Sequence, residues 1–256
     1  MNFNTKSIAT TAAVLTASIF ATGQLSAADH GHSDFLLGQQ NGQFVVLQEH
    51  AGEIEIAHTM GAEMPDTYFT NAPGFNTEPD EYPVSITAPI ASTDVVFDFV
   101  AVDIAGATAN LFYWDGSGEA SFTPVLDGTT FYATKQINPF ESLTAIADGS
   151  ANNVDGFAIG ASDAQGGFHH HINFGMLDSN SSTANIADGI YAVALSLTQD
   201  SLIASEPVVI AFATEGIGEV AHEAAVEYLN TSLVPEPASM FLLGISGIAL
   251  IGRRRK

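Results

Sequence analysis

The chain has 256 residues, 29 acidic against 6 basic side chains, a formal charge of −23 and no cysteine. Without thiols, thiolate metal sites, thiol redox chemistry and cysteine nucleophiles are excluded, so any transition-metal site must be built from His with Asp, Glu or water. The charge excludes nucleic acid and anionic membranes as partners of the body; it keeps the surface soluble and draws cations toward it.

In chain order, Lys6 precedes an apolar stretch from Ile8 to Phe20 and then Leu25-Ser26-Ala27-Ala28. This predicts a secretory signal peptide over residues 1–28, cut by signal peptidase after Ala27 or Ala28. Residues 29–232 are then enough for one well-packed domain. Within them, short apolar and β-branched runs alternate with turn signals. Strands are predicted at Gln43–Gln48, Glu53–Ala57, Pro83–Ile90, Asp94–Val102, Asn110–Trp114, Ala120–Leu126 and Thr130–Ala133. Further strands are predicted at Val154–Ile159, Phe168–Phe174, Ile190–Leu197 and Pro207–Ala213. Met60 to Pro83 holds four prolines and little periodicity and reads as a long loop; residues 138–152 read as a second loop with a helical turn. Asp188-Gly189-Ile190-Tyr191 has the form of a tyrosine corner, a Greek-key device in which the hydroxyl bonds back to the backbone. Gly218–Leu229 reads as an amphipathic helix with Val220, Ala224 and Leu229 facing the body. The expected fold is all-β: a single Ig-like Greek-key β-sandwich with a C-terminal amphipathic helix.

Residues 233–256 read as a sorting tail. Pro235-Glu236-Pro237 is followed by an apolar run, Met240 to Ile251, and then Arg253-Arg254-Arg255-Lys256. Twelve helical residues span only about 18 Å, short of a hydrocarbon core of about 30 Å. The run suits a transient anchor with its basic end on the cytoplasmic side.

The eight histidines carry the candidate chemistry, since neutral imidazole is the commonest metal ligand. In Phe168-His169-His170-His171-Ile172-Asn173-Phe174, strand alternation puts Phe168, His170, Ile172 and Phe174 on one side and His169, His171 and Asn173 on the other. Two imidazoles two residues apart on one face can chelate a single ion; the bland alternative is an exposed polar strand face. His170 suits ligation least because the strand phase turns it inward. Near the expected mature start, His30-Gly31-His32-Ser33-Asp34 puts His32 and Asp34 on one face of an extended chain. A first strand beside the His169 strand would bring these donors to His169 and His171. A start at Ala28 would also let Ala28-Asp29-His30 hold Cu(II) or Ni(II) in a square plane. His50 is the next candidate ligand, while His58 and His222 fit ordinary surface or hydrogen-bonded roles. Asp115-Gly116-Ser117-Gly118-Glu119 reads as a turn, too short for a calcium loop.

Together these features resemble a family. The tail resembles the PEP-CTERM sorting signal of Gram-negative bacteria and cyanobacteria. The His-x-His-x-Asp start, the late His-x-His-x-Asn-Phe strand, the Asp-Gly-Ile-Tyr opening and the Glu-rich last helix resemble the Zur-repressed PEP-CTERM proteins. They also resemble, more distantly, choice-of-anchor surface domains. The resemblance implies processing by an exosortase near the Pro-Glu-Pro, expression when zinc is scarce and no established enzymatic activity. It carries over His32, Asp34, His169 and His171, with Asn173 beside the ligands rather than among them. The expected function is an exported or surface-associated protein that captures, buffers or delivers Zn(II), with a zinc transporter or an extracellular polysaccharide as candidate partner. The alternatives are an acidic structural protein of the extracellular matrix and a zinc-dependent hydrolase or lyase.

Overall fold

The computed structural model describes residues 34–50 and 52–233, and for His50 the backbone alone. The predicted signal peptide, His30, His32 and the sorting tail from residue 234 onward lie outside the described residues.

The strands are β1 Phe35–Gln40, β2 Gln43–His50, β3 Glu53–Ile56, β4 Thr59–Met64, β5 Phe69–Thr70 and β6 Phe75–Asn76. They continue with β7 Asp94–Val100, β8 Val102–Ile104, β9 Ala107–Ala109, β10 Phe112–Trp114, β11 Thr123–Pro124 and β12 Thr130–Asn138. The last are β13 Glu141–Ala147, β14 Val154–Ala161, β15 His169–His170, β16 Asn173–Leu177, β17 Ile190–Gln199 and β18 Val208–Thr214, and helix α1 Glu219–Leu233 follows.

Hydrogen bonding divides them into a five-stranded sheet β15-β6-β1-β2-β3, a four-stranded sheet β13-β12-β16-β5 and a small β8-β9 hairpin. The fourth and largest sheet runs β11-β10-β17-β18-β4, with β7 beside β17 and β14 on the far side of β7. The architecture is thus mostly β with one C-terminal helix. Its bonding falls into four sheets rather than the two of a simple sandwich, and two pairings, β1 with β6 and β18 with β4, are parallel.

The main core lies between the largest sheet and the other two large ones. Tyr191, Val193, Leu195 and Leu197 of β17 meet Phe35, Leu37, Phe131 and Phe174 there, all essentially buried. The opposite face of the largest sheet is covered too: Ile190, Ala192 and Ala194 pack with Ala225 and Leu229 of α1. Cover on both faces explains why β17 and β18 read as nearly unbroken apolar runs. A third cluster, Leu36, Val45, Leu47 and Ile86, lies on the outer face of the five-stranded sheet.

Several local signals act as their chemistry requires. Asn41 and Gly42, at φ 53° and 82°, make the tight β1–β2 turn that favours these residues. The Tyr191 hydroxyl donates to the Ala187 carbonyl at 2.9 Å, closing the tyrosine corner. Lys135, the only Lys or Arg among residues 29–232, donates from Nζ to the carbonyls of Ala158 and Ile159 and ties β12 to β14.

Other elements differ from expectation. Pro83–Ile90 is not a strand: Pro83 and Pro89 have no N–H to give a ladder. The segment instead drapes Ile86 over the five-stranded sheet and bridges β1, its middle strand, at Gln39–Thr87. The stretch read as a loop from Met60 to Pro83 contains most of β4 and all of β5 and β6, and residues 138–152 contain β13. Ala120–Leu126 shrinks to the two residues of β11. In α1, Ala224 and Leu229 pack on the second core as expected, beside Ala221 and Ala225, whereas Val220 in the first turn is 80 % exposed.

Candidate metal centre

The segment from Phe168 to Phe174 keeps its alternation, with Phe168, Ile172 and Phe174 buried and His169 and His171 exposed. It is nevertheless two strands. β15 pairs with β6 at the edge of the five-stranded sheet, and from Asn173 the chain joins β12 and β5 in the four-stranded sheet. His171 sits at the corner where the chain changes sheets.

The register sets what meets there. His169 lies opposite Asn76 and His170 opposite Phe75, while Phe35 and Leu36 run parallel to Phe75 and Asn76 on the other side of β6. One step further along, Asp34, Gly74 and His171 fall in a row across the three strands. Gly74 makes this row usable. A Cβ there would collide with His171 Cε1 and stand 2.7 Å from Asp34 Oδ1 and from His171 Nδ1. Two side chains on non-adjacent strands therefore meet over a residue that has none.

Each donor is oriented. The Gly74 N–H donates to Asp34 Oδ1 at 2.9 Å, leaving Oδ2 toward the imidazoles. His171 Nδ1 lies 2.8 Å from the Asn71 carbonyl, which can only accept. Nδ1 therefore carries the proton and Nε2 the free lone pair. Nε2 of His169 and Nε2 of His171 are 3.2 Å apart, and Asp34 Oδ2 is 3.5 Å from the first and 3.9 Å from the second. The point equidistant from the three corners lies about 2.1 Å from each, and zinc takes imidazole nitrogen and carboxylate oxygen at roughly 2.0–2.2 Å. Among the described residues this is the one group of three His or carboxylate side chains drawn together closely enough to share an ion. The site opens to solvent, with side-chain exposures of 63 % for His169, 39 % for His171 and 22 % for Asp34.

The surroundings favour a cation. Glu78, tied to Asn76 Nδ2 at 3.0 Å, is held above the usual carboxylate range by desolvation first and then by Glu81, Glu49 and Asp34. Beneath the site, His170 packs on Phe168 with ring centroids 4.6 Å apart, and its ring would lie within 2.6 Å of a Cβ on Gly160. Desolvation and then Lys135 lower its pKa, so it is a neutral inward anchor turned away from the donors.

The remaining candidates stand elsewhere. His50 ends β2 opposite Glu53. Asn173 opens β16 opposite Thr134 in the four-stranded sheet. His222 Nε2 is 2.9 Å from the Ala211 carbonyl and holds α1 to β18. Asp115 Oδ1 accepts from the Ser117 N–H in a turn. The sequence reading did not single out Asn71 and Gly74. Their one local signal is the turn-forming run Asn71-Ala72-Pro73-Gly74.

A family profile described as the PEP-CTERM protein-sorting motif matches residues 233–256. Such a motif implies export and C-terminal processing by an exosortase. No curated protein and no solved structure matches the chain.

Proposed function

We propose that this exosortase-sorted surface protein binds Zn(II) through Asp34, His169 and His171, and captures, buffers or delivers it outside the inner membrane when zinc is scarce. The observation that carries the reading is the triangle of Asp34 Oδ2 and two Nε2 atoms, each oriented by a backbone group or by strand phase. Imidazole and carboxylate suit zinc, and three protein donors leave a position for water or for a donor from His32. The link to zinc scarcity rests on the resemblance of the tail and the His motifs to the Zur-repressed group.

Three protein ligands and a water are also hydrolytic geometry, and two His with one carboxylate hold Fe(II) in oxygenases. The openness of His169 favours an exchangeable cargo over catalysis, which profits from a site closed to water. The deciding experiment is calorimetric titration of the purified chain with Zn(II), Fe(II), Mn(II) and Cu(II), alongside the His169→Ala/His171→Ala double variant. One zinc per chain is expected, with affinity at least about 100-fold weaker in the variant. Equal affinity in both proteins refutes the site. Zinc binding only at millimolar levels favours a matrix protein with incidental histidines.

A further inference from the structure

The outer face of the four-stranded sheet differs from the rest of this acidic surface. Its inner face, with Phe131, Ala133, Phe174 and Met176, is in the main core. By strand alternation the intervening residues point outward. One row across all four strands reads Phe69, Gly175, Tyr132, Ile146 in register. Phe69 is 43 % and Ile146 48 % exposed. A Cβ on Gly175 would collide with the Tyr132 ring and hydroxyl, so the tyrosine lies across its neighbour strand rather than standing away from the sheet. The next row on this face holds Asn173, Thr134 and Thr144. Neither row contains a carboxylate or an ammonium group. Elsewhere an exposed edge strand of the same molecule, β3, turns out Glu53 and Glu55.

We propose that this face docks a neutral polysaccharide. Sugar rings present C–H faces that pack on aromatic and aliphatic side chains, with hydroxyl edges that bond to amides and hydroxyls. The aromatic row and the Asn-Thr-Thr row offer both, side by side. Four strands at about 4.8 Å spacing make an open platform roughly 14 Å wide, suited to an extended chain rather than a small enclosed ligand. Charge selects the occupant. A polyanion would meet the repulsion of a chain at formal charge −23, whereas a neutral chain is not repelled and meets two rows free of carboxylates that it would have to desolvate. A bilayer does not fit a face of which half is amide and hydroxyl.

The test is affinity electrophoresis of the purified full chain in gels carrying hydroxyethylcellulose, mixed-linkage β-glucan, glucomannan or dextran, with alginate as the anionic comparison. Retardation by a neutral polymer and none by alginate is expected. Phe69→Ser and Thr144→Asp, both at exposed positions that leave the core intact, should each weaken binding about tenfold. Val84→Ser, at a fully exposed position off this face, should leave it unchanged. No retardation in any neutral gel, or equal retardation of the Phe69 and Thr144 variants, overturns the proposal. So does a dimer of the parent chain that Thr144→Asp dissociates, because the face would then belong to a second copy. The His169→Ala/His171→Ala variant should bind polysaccharide normally, which separates this outcome from the fate of the zinc reading.

Discussion

His171 is held by Asn71, one hundred residues earlier, through the 2.8 Å contact between its Nδ1 and the Asn71 carbonyl. That bond makes the turn from Asn71 to Gly74 part of the centre although it supplies no ligand. The turn fixes the tautomer of one imidazole through Asn71 and the rotamer of the carboxylate through the Gly74 N–H. It also keeps the space between them open by having no side chain at Gly74.

Gly74→Ala tests this dependence. The φ of Gly74 is not in the left-handed region, so alanine brings no backbone penalty there. The cost comes from the new methyl, which must push His171 and Asp34 apart. Overpacking of this kind costs about 1–3 kcal/mol of stability. Zinc affinity, measured by calorimetry on the folded variant, should fall about 10- to 100-fold, as displacement of orienting groups generally does. Unchanged affinity would mean that the three side chains do not act on one ion.

What was legible in the sequence follows from range. β2 shows itself as the apolar run Gln43–Gln48, and β17 and β18 through their continuous hydrophobicity. Alternation alone put His169 and His171 on one face and His170 on the other. β4 was hidden because Thr59-Met60-Gly61-Ala62-Glu63-Met64 has little β-branched character, and its place comes from parallel pairing with β18. β6 is two residues between Pro73 and Pro79 and has no period to detect. Yet β6 is the strand that lies between Asp34 and the histidines. The expected direct neighbourhood of β1 and the His169 strand was therefore one strand off, and the Gly74 gap that spans it is a property of register that no local pattern encodes.

Tyr82 predicts an alkaline limit to stability. Its hydroxyl donates to the Leu37 carbonyl at 2.9 Å and accepts from the Glu78 N–H at 3.0 Å, fastening the 78–90 segment over the five-stranded sheet. Burial pushes its pKa up to about 12. In the unfolded chain tyrosine ionises near 10, so the folded protein keeps a proton that the unfolded chain gives up. The resulting stability is complete below about pH 10 and drains away as pH rises from about 10 to about 12. Tyr82→Phe keeps the ring, loses both bonds and should cost about 1 kcal/mol at neutral pH. Urea unfolding at several pH values should show a shallower decline above pH 10 in the variant, and parallel curves would show that Tyr82 does not govern this limit.

Helix α1 offers a comparison between two apolar residues that the sequence treats alike. Leu229 is fully buried against the largest sheet with Ala225, while Val220 is 80 % exposed in the first turn. The inward stripe at residues 221, 225 and 229 follows the four-residue helical spacing, and Val220 stands off it. Leu229→Ala should cost about 2–5 kcal/mol through lost burial and the cavity left behind. Val220→Ala should stay within about 0.5 kcal/mol, since it exchanges one exposed side chain for a better helix former. Denaturant midpoints of the two variants give the answer directly. Equal costs would mean that α1 does not pack on β18 and β4 through this stripe, and the second core would have to be redrawn.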